Sequence, residues 1–479
     1  MNPWKARRLL IWALQPFLFI FLLLSLAWGQ VAQPDSAQKP SGEAASSKAE
    51  TRIAPQEAQE LFRSVDEILQ FASRDTGFSI KHEVKRQLTS RDEVTAFLEK
   101  SLSEDKDAQR LRRSELVLKK FGLLPADFDL QKFLIALLRE QVAGYYDPRT
   151  KTVNLLNWIA AVQQRPVLAH ELTHALQDQS FDLKKWMKTP DIDDRKKPTA
   201  VDIGNDELSS ARQAVVEGQA TAVLVDYMLA PMGRSLLDSP EITAALKQGM
   251  LTGGDESVEL RRAPEFIRES LTFPYRYGLD FVIACLSAEG KQKAFAGMFA
   301  NPPTSTRQIM QPQTYLSGER IEPMPVPDFK RVFKNYERFD VGAMGEFDVA
   351  VLLQQYSGDE VSHRLYPQWR GGYYYAGRPK AGPAAPLVLL YASRWSNPEH
   401  AAEFAAVYAK DLSKRYKQLL ADDGNKPEDF QTLTGRHTWT TEEGTVLIEA
   451  KGSTVLITEG LDAATSEVLE KDLLPAPTN

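Results

Sequence analysis

The chain has 479 residues, of which 43% are hydrophobic and 25% are charged, and its formal net charge is −6. This length exceeds that of one typical hydrophobic core, so we expect two domains, and the composition is typical of a soluble globular protein. The sequence pI is about 5.7, and the chain lacks the basic stripe of nucleic-acid-binding proteins, so we expect no nucleic acid as a partner.

The N-terminus has the layout of a targeting segment. A short basic region precedes an apolar stretch over residues 9–27, and small residues follow it. Residues 1–29 are therefore predicted to be a cleaved signal peptide or a retained anchor that associates with the membrane through residues 9–27. Both alternatives predict an extracytoplasmic protein, periplasmic or secreted. Residues 30–54 are small, polar and proline-containing, which predicts a disordered linker.

The first structured elements are predicted to be a helix, a strand, a second helix and a hairpin. A helix begins at Pro55 with an apolar stripe at helical spacing, and residues 78–85 alternate like a strand. Residues 131–143 read as a mostly buried helix. The Asp147-Pro148 turn within residues 144–156 predicts a β-hairpin.

Helices are expected to dominate the next part of the chain. Pro166 fits the first turn of a helix that carries residues 167–179, "VLAHELTHALQDQ". A second long helix is predicted over residues 206–230. Further helices are predicted over residues 263–287 and 291–299.

The character of the sequence changes after about residue 339. Strand-like segments, two of them separated by a turn at Gly452, surround an amphipathic helix over residues 396–420. The sequence therefore predicts an α+β protein. It has a mainly helical domain with a small β-hairpin or sheet over residues 55–340, and a smaller α+β domain over residues 341–479.

The pattern H-E-x-x-H occurs at His170, Glu171 and His174. Residues four apart share one face of a helix, so the two imidazoles point at one spot. A zinc ion there would need a third protein ligand and would keep one position for water. Glu171 could reach that water and take its proton, as the general base of a hydrolase. A thiolate site is excluded, because the only cysteine is Cys285, expected to be a buried thiol.

The third ligand cannot be a histidine at the metzincin spacing, because that position is Ser180. A carboxylate on the following helix remains. Glu217 is the preferred candidate, since its small neighbours would let the second helix approach the first closely. Glu207 and Asp226 stay open as alternatives.

Other polar residues near the motif have two interpretations each. Gln177 and Asp178 could hydrogen-bond an imidazole from outside the metal shell, or could end the helix in solvent. A donor to a developing oxyanion is also required, and the sequence does not choose among four tyrosines or exclude a packing role for each: Tyr145, Tyr146, Tyr275 and Tyr277.

The chain resembles the gluzincin zinc metallopeptidases, and more narrowly a poorly characterised family of bacterial extracytoplasmic proteins of that clan. The matching segments are "LLREQVAGYYDPRTKTVNL", "LAHELTHALQDQ", "VEGQAT" and "NPPTSTRQIMQP". The resemblance implies a zincin-like metallopeptidase domain in which His170, His174 and Glu217 bind Zn²⁺ and Glu171 is the base. Gln219 stands where relatives carry aspartate, and Gln311 stands where they carry histidine, which puts turnover in doubt.

Two functions of different classes follow from the sequence. The first is a zinc-dependent peptide-bond hydrolase that acts on a peptide or protein substrate. The second is a catalytically silent, zinc-binding envelope factor that serves binding or assembly. A metal-free helical scaffold would show neither bound zinc nor a loss of stability with a chelator.

Overall fold

A computed structural model describes residues 53–96, 105–141, 144–188, 199–252, 257–382, 384–422, 424 and 426–476. The predicted signal peptide or anchor, and the predicted linker up to residue 52, lie outside the described residues. At the end of that linker, Ile53 donates its backbone N–H to the Asn157 carbonyl at 2.8 Å. Within the described ranges, no helix combines the length and apolar character needed to cross a bilayer.

The fold is a mixed α+β fold, as predicted. The longer helices are α1 (Pro55–Thr76), α2 (Asp105–Lys120), α3 (Leu130–Gln141), α4 (Ala161–Phe181), α5 (Asn205–Leu229), α6 (Pro240–Thr252), α7 (Glu265–Glu289), α8 (Glu346–Ser357), α9 (Asp359–Leu365), α10 (Pro398–Arg415) and α11 (Ala463–Leu473). Shorter helical segments lie at residues 91–96, Leu183–Trp186, Ala200–Ile203, Ala230–Met232, Val258–Arg261, Lys293–Gly297, Met298–Ala300, Thr306–Met310, Pro312–Leu316, Phe329–Val332, Tyr366–Gln368 and Pro427–Asp429.

The strands form two sheets. They are β1 (Lys85–Thr89), β2 (Tyr145–Asp147), β3 (Thr152–Leu156), β4 (Tyr336–Ala343), β5 (Trp369–Pro379), β6 (Val388–Trp395), β7 (Leu419–Ala421), β8 (Gly435–Thr441), β9 (Gly444–Lys451) and β10 (Thr454–Glu459). The first sheet has the order β1-β3-β2, and the second has the order β4-β5-β6-β10-β9-β8-β7.

The small sheet lies directly before the helix that carries the H-E-x-x-H motif. Strands β2 and β3 form the predicted antiparallel hairpin, and β1 adds to it in parallel. The strand predicted over residues 78–85 is wrong, because β1 begins at Lys85. The Gln179 side chain instead accepts hydrogen bonds from the backbone N–H groups of Lys81 and His82, which ties this segment to the end of α4.

Helix α4 starts earlier than Pro166 predicts. Its first residue is Ala161, whose N–H donates to the Glu57 carboxylate of α1 at 3.0 Å. The Gln164 amide donates to the carbonyls of Leu156 and Ile159 at 2.8 and 2.7 Å. These contacts fix the extra turn to β3 and α1, so the prediction that Pro166 lies in the first turn is wrong.

The C-terminal part is built on the seven-stranded sheet, whose neighbouring strands all pair in antiparallel fashion. Helix α10 packs against β6, β9 and β10. It begins with the Asn397 side chain accepting from the His400 N–H and with Pro398 in the first turn. Strand β4 already starts at Tyr336, so the predicted domain boundary between residues 340 and 341 falls inside a strand of this sheet.

Candidate metal centre

Helix α4 places both imidazoles of the motif at one spot. The ring centroids of His170 and His174 are 4.4 Å apart, and the ring planes are nearly perpendicular. The His170 side chain is fully buried, whereas 12% of the His174 side chain is exposed. The helical spacing of four residues therefore produces the convergence that the sequence predicts.

The Glu217 carboxylate of α5 completes a cluster with the two histidines. Its Oε2 atom lies 3.2 Å from the His170 Nε2 atom and 3.4 Å from the His174 Nε2 atom. One potential ligand atom from each of the three residues lies within 4.8 Å of the others, and this is the one such group of metal-ligating side chains in the described ranges.

These distances fit a shared cation better than a direct hydrogen bond. Two ligands that each lie about 2.0–2.1 Å from one tetrahedral zinc ion are about 3.3 Å apart. A hydrogen bond between charged nitrogen and oxygen atoms is shorter, at about 2.7–2.9 Å. Two imidazole nitrogens and one carboxylate oxygen are also donors that zinc accepts. The residues present therefore fit a divalent metal ion such as zinc.

The three side chains of the cluster shift one another's pKa values. Burial alone would raise the pKa of Glu217, but the two histidines lower it to about 2. Burial alone would lower the pKa of His174, but the Glu217 carboxylate raises it to about 9. Burial and the neighbouring His174 hold the pKa of His170 well below its ordinary value. The Glu217 carboxylate therefore stabilises positive charge at its side of the cluster.

Glu171 lies beside the cluster with one oxygen atom engaged and the other available. Its Oε2 accepts the backbone N–H of Tyr146 in β2 at 2.7 Å. Its Oε1 is buried and has no hydrogen-bond partner among the described residues. Burial raises the pKa of Glu171 to about 8, although the charge of His174 opposes this. The side chain can therefore accept and release a proton near neutral pH.

Two glutamines fix the orientation of His174. The Nδ1 atom of His174 is 2.8 Å from the Gln177 Oε1 atom, which can only accept, so Nδ1 carries a proton and Nε2 is the ring nitrogen that faces Glu217. Gln177 in turn donates to the Val216 carbonyl and to Gln219. Gln219 donates to the carbonyls of Ala294 and Phe295. The glutamine at position 219 is thus linked to the cluster through hydrogen bonds.

Asp178 and Gln311, two polar residues singled out in the sequence, make hydrogen bonds to residues outside the cluster. Asp178 is buried and accepts the Tyr146 hydroxyl at 2.9 Å and the Lys151 ammonium, so it neither ends the helix in solvent nor binds an imidazole. Gln311 donates to Glu346 at 2.7 Å. This hydrogen bond lies outside the histidine cluster.

The two alternative carboxylates lie elsewhere. Glu207 accepts the backbone N–H and the hydroxyl of Thr306 at 2.9 and 2.8 Å. Asp226 accepts the Leu236 N–H at 2.6 Å. Of the three carboxylates named from the sequence, Glu217 alone meets the two histidines.

Gly218 on α5 faces a different helix from the one predicted. A Cβ atom at Gly218 would lie 2.3 Å from the Gly278 carbonyl oxygen of α7. Gly218 therefore allows the close approach of α7, not of the motif helix α4. Glu217 is adjacent to this crossing, so the α5–α7 packing holds its backbone in place.

Tyr275 lies beside the cluster, where its side chain interacts with Glu217. Its ring centroid is 6.5 Å from that of His170. Burial and the carboxylates of Glu217 and Glu171 raise the pKa of Tyr275 well above its ordinary value, so its hydroxyl stays a donor. Tyr146 uses its hydroxyl for Asp178, and Tyr277 packs on Phe273.

The C-terminal part of the chain is similar to a known protein family. Residues 332–470 match the family model of a domain of unknown function, DUF8575. This segment contains all seven strands of the larger sheet and leaves the histidine cluster outside. No curated protein and no solved structure matches the chain.

Proposed function

We infer that this chain is a zinc-dependent peptide-bond hydrolase of the gluzincin type that works outside the cytoplasm on peptide or protein substrates. The observation that carries this inference is the convergence of Glu217 with His170 and His174 at metal-ligand spacing. A finer fold assignment belongs to the same proposal. Residues 55–340 would be a zincin-like metallopeptidase domain, since a small sheet, the motif helix and a glutamate-bearing helix meet at one site.

Each side chain of the site would have a different role in hydrolysis. Zinc at this site would supply a Lewis acid that polarises the scissile carbonyl and lowers the pKa of a water molecule. The Glu171 Oε1 atom, which has no partner in the described residues, would accept the proton from that water and pass it to the leaving amine. The Tyr146 N–H keeps the carboxylate in this orientation, and the protonated Tyr275 hydroxyl would donate to the oxyanion.

Burial of the cluster favours a second candidate function. His170, Glu171 and Glu217 are exposed by 3% or less, and only an edge of His174 reaches solvent. A substrate would need the site to open. A silent zinc-binding envelope factor, which serves binding or assembly, would need no such opening.

Substitution of Glu171 by glutamine separates the two functions. For the hydrolase, Glu171→Gln keeps one zinc per chain but lowers kcat against unstructured peptides by about 10²–10⁴-fold, the usual contribution of a general base. Zinc content is measured by elemental analysis, and cleavage by mass spectrometry on a peptide mixture.

The matched control is Glu467→Gln, because Glu467 is exposed on α11 and its change should leave both quantities unaltered. Equal cleavage by the wild type and Glu171→Gln would remove Glu171 from the mechanism. A wild type that holds zinc and cleaves no peptide would support the silent factor instead.

A further inference from the structure

Two buried glutamines form a hydrogen-bonded chain behind the metal cluster. Gln177 and Gln219 have no exposed surface. The Gln177 Oε1 atom lies 2.8 Å from the Nδ1 atom of His174, and the Gln177 amide nitrogen donates to the Gln219 Oε1 atom at 3.0 Å. The chain therefore connects one imidazole of the cluster to a residue that is not a candidate ligand.

The far end of this chain is a helical turn whose carbonyl groups face Gln219. The amide nitrogen of Gln219 donates to the carbonyls of Ala294 and Phe295 at 2.8 and 3.0 Å. Both belong to the π-helical turn Lys293–Gly297, which follows α7. A carbonyl oxygen can only accept, so a reversed Gln219 amide would place its oxygen against two carbonyl oxygens. The π-helical turn therefore fixes the direction in which the Gln219 amide points.

The orientation of Gln219 in turn determines that of Gln177. With its nitrogen on the π-helical turn, Gln219 presents its oxygen atom to Gln177. Gln177 must then direct its own amide nitrogen towards Gln219, where that nitrogen also donates to the Val216 carbonyl at 3.1 Å. The oxygen of Gln177 is left for the Nδ1 atom of His174.

The atom of Gln177 that meets the imidazole matters for metal binding. The Nε2 atom of His174 faces Glu217 at 3.4 Å, and a histidine that binds a metal through Nε2 keeps its proton on Nδ1. An acceptor at Nδ1 favours this form. A reversed Gln177 amide would present a donor to Nδ1 and would favour a proton on Nε2, where it competes with the metal.

We propose that Gln219 is a positioning residue of the metal centre, which acts through Gln177 to hold the His174 imidazole in the form that binds a metal through Nε2. Gln219 lies two residues after Glu217 on α5, so the two side chains leave the helix on different sides. This inference rests on the zinc site of the proposed function, but it does not depend on hydrolysis.

A double-mutant cycle on zinc affinity tests this role in the full chain. Competition with a chromogenic chelator measures the affinities of the wild type, Gln177→Leu, Gln219→Leu and the double variant. Gln219→Leu should lower the zinc affinity of the wild type about tenfold. In Gln177→Leu the same change should alter the affinity by less than about twofold, the accuracy of such cycles, because the amide through which Gln219 acts is already absent. Gln219→Met replaces Gln219→Leu in the cycle should the leucine variant fail to fold.

The matched control is Gln292→Leu, because Gln292 is exposed and directly precedes the same π-helical turn. It should leave zinc affinity unchanged in both backgrounds. An equal fall for the Gln219 variant in both backgrounds would show a purely structural role and would overturn the proposal. Wild-type affinity in Gln219→Leu would overturn it as well. A wild type that binds no zinc would overturn the proposed function together with this inference.

Discussion

Two buried clusters of charged side chains differ in how completely their oxygen atoms are hydrogen-bonded. In the C-terminal part, Glu459 accepts from Tyr408 at 2.7 Å and from Arg415 at 2.9 Å through Oε1. Its Oε2 accepts from Tyr416 at 2.5 Å and pairs with Lys120 at 3.5 Å. Both oxygens of this buried carboxylate are therefore satisfied by the protein itself.

The cluster on α4 and α5 is not satisfied in this way. The Glu171 Oε1 atom has no partner in the described part of the chain, and Glu217 meets its histidines at 3.2 and 3.4 Å. Buried polar atoms in folded proteins are normally hydrogen-bonded, so an exception needs a reason. The comparison indicates that the Glu459 cluster stabilises the fold, and it supports our proposal that the histidine cluster binds a cation.

The largest expected effect on folding comes from Glu459→Gln. Removal of the charge takes one partner from a buried ion pair and leaves Asp411, 3.2 Å away, as the remaining carboxylate beside Arg415. Breaking a buried pair in this way costs about 3–5 kcal/mol of the free energy of unfolding. Urea unfolding with and without zinc measures this loss, and zinc content should not change. A variant as stable as Glu467→Gln, the exposed control, would show that the Glu459 cluster is not the structural one.

Acidic pH should lower the contribution of the Glu459 cluster to the free energy of unfolding. Burial alone would raise the pKa of Glu459, but Arg415 and Lys120 lower it to about 2. The folded-state pKa is below the ordinary value, so this contribution, on the order of 3 kcal/mol, is present above pH 4.5 and is lost as pH falls towards 2. The free energy of unfolding, measured across that range, should fall more steeply in the wild type than in Glu459→Gln. Parallel curves would contradict the assignment.

A smaller effect is expected from the hydrogen bond behind His174. Gln177→Leu removes the acceptor at 2.8 Å from Nδ1, and such a loss lowers zinc affinity by about 10–100-fold. Competition with a chromogenic chelator measures the affinity. Gln292→Leu is the control, since it makes the same change at an exposed position. An affinity equal to that of the control would mean that Gln177 does not orient the ligand.

The parts of the site that were predictable depend on local spacing. His170, Glu171 and His174 follow from one helical repeat, and the hairpin before them follows from turn residues at Asp147 and Pro148. Glu217 was predicted as the third ligand because its neighbours are small, although Gly218 faces Gly278 on α7. The choice of glutamate agrees with the geometry, and of its small neighbours Gly218 faces α7 instead of the motif helix.

The rest depends on contacts between distant segments. The early start of α4 requires Glu57 of α1 and the carbonyl of Leu156 in β3, and periodicity does not reveal such partners. Strand β1 pairs in parallel with β3 across a long separation in sequence. The Gln177–Gln219 hydrogen bond joins two helices. No local sequence pattern marks these contacts.

The central claim is that one cation is held between α4 and α5. X-ray absorption at the zinc edge, on protein loaded with one zinc per chain, tests it most directly. We expect two imidazole nitrogens and one carboxylate oxygen at about 2.0–2.1 Å from the metal, with the carboxylate lost in Glu217→Ala. Failure to bind zinc, or a zinc shell without imidazole nitrogens, would contradict it.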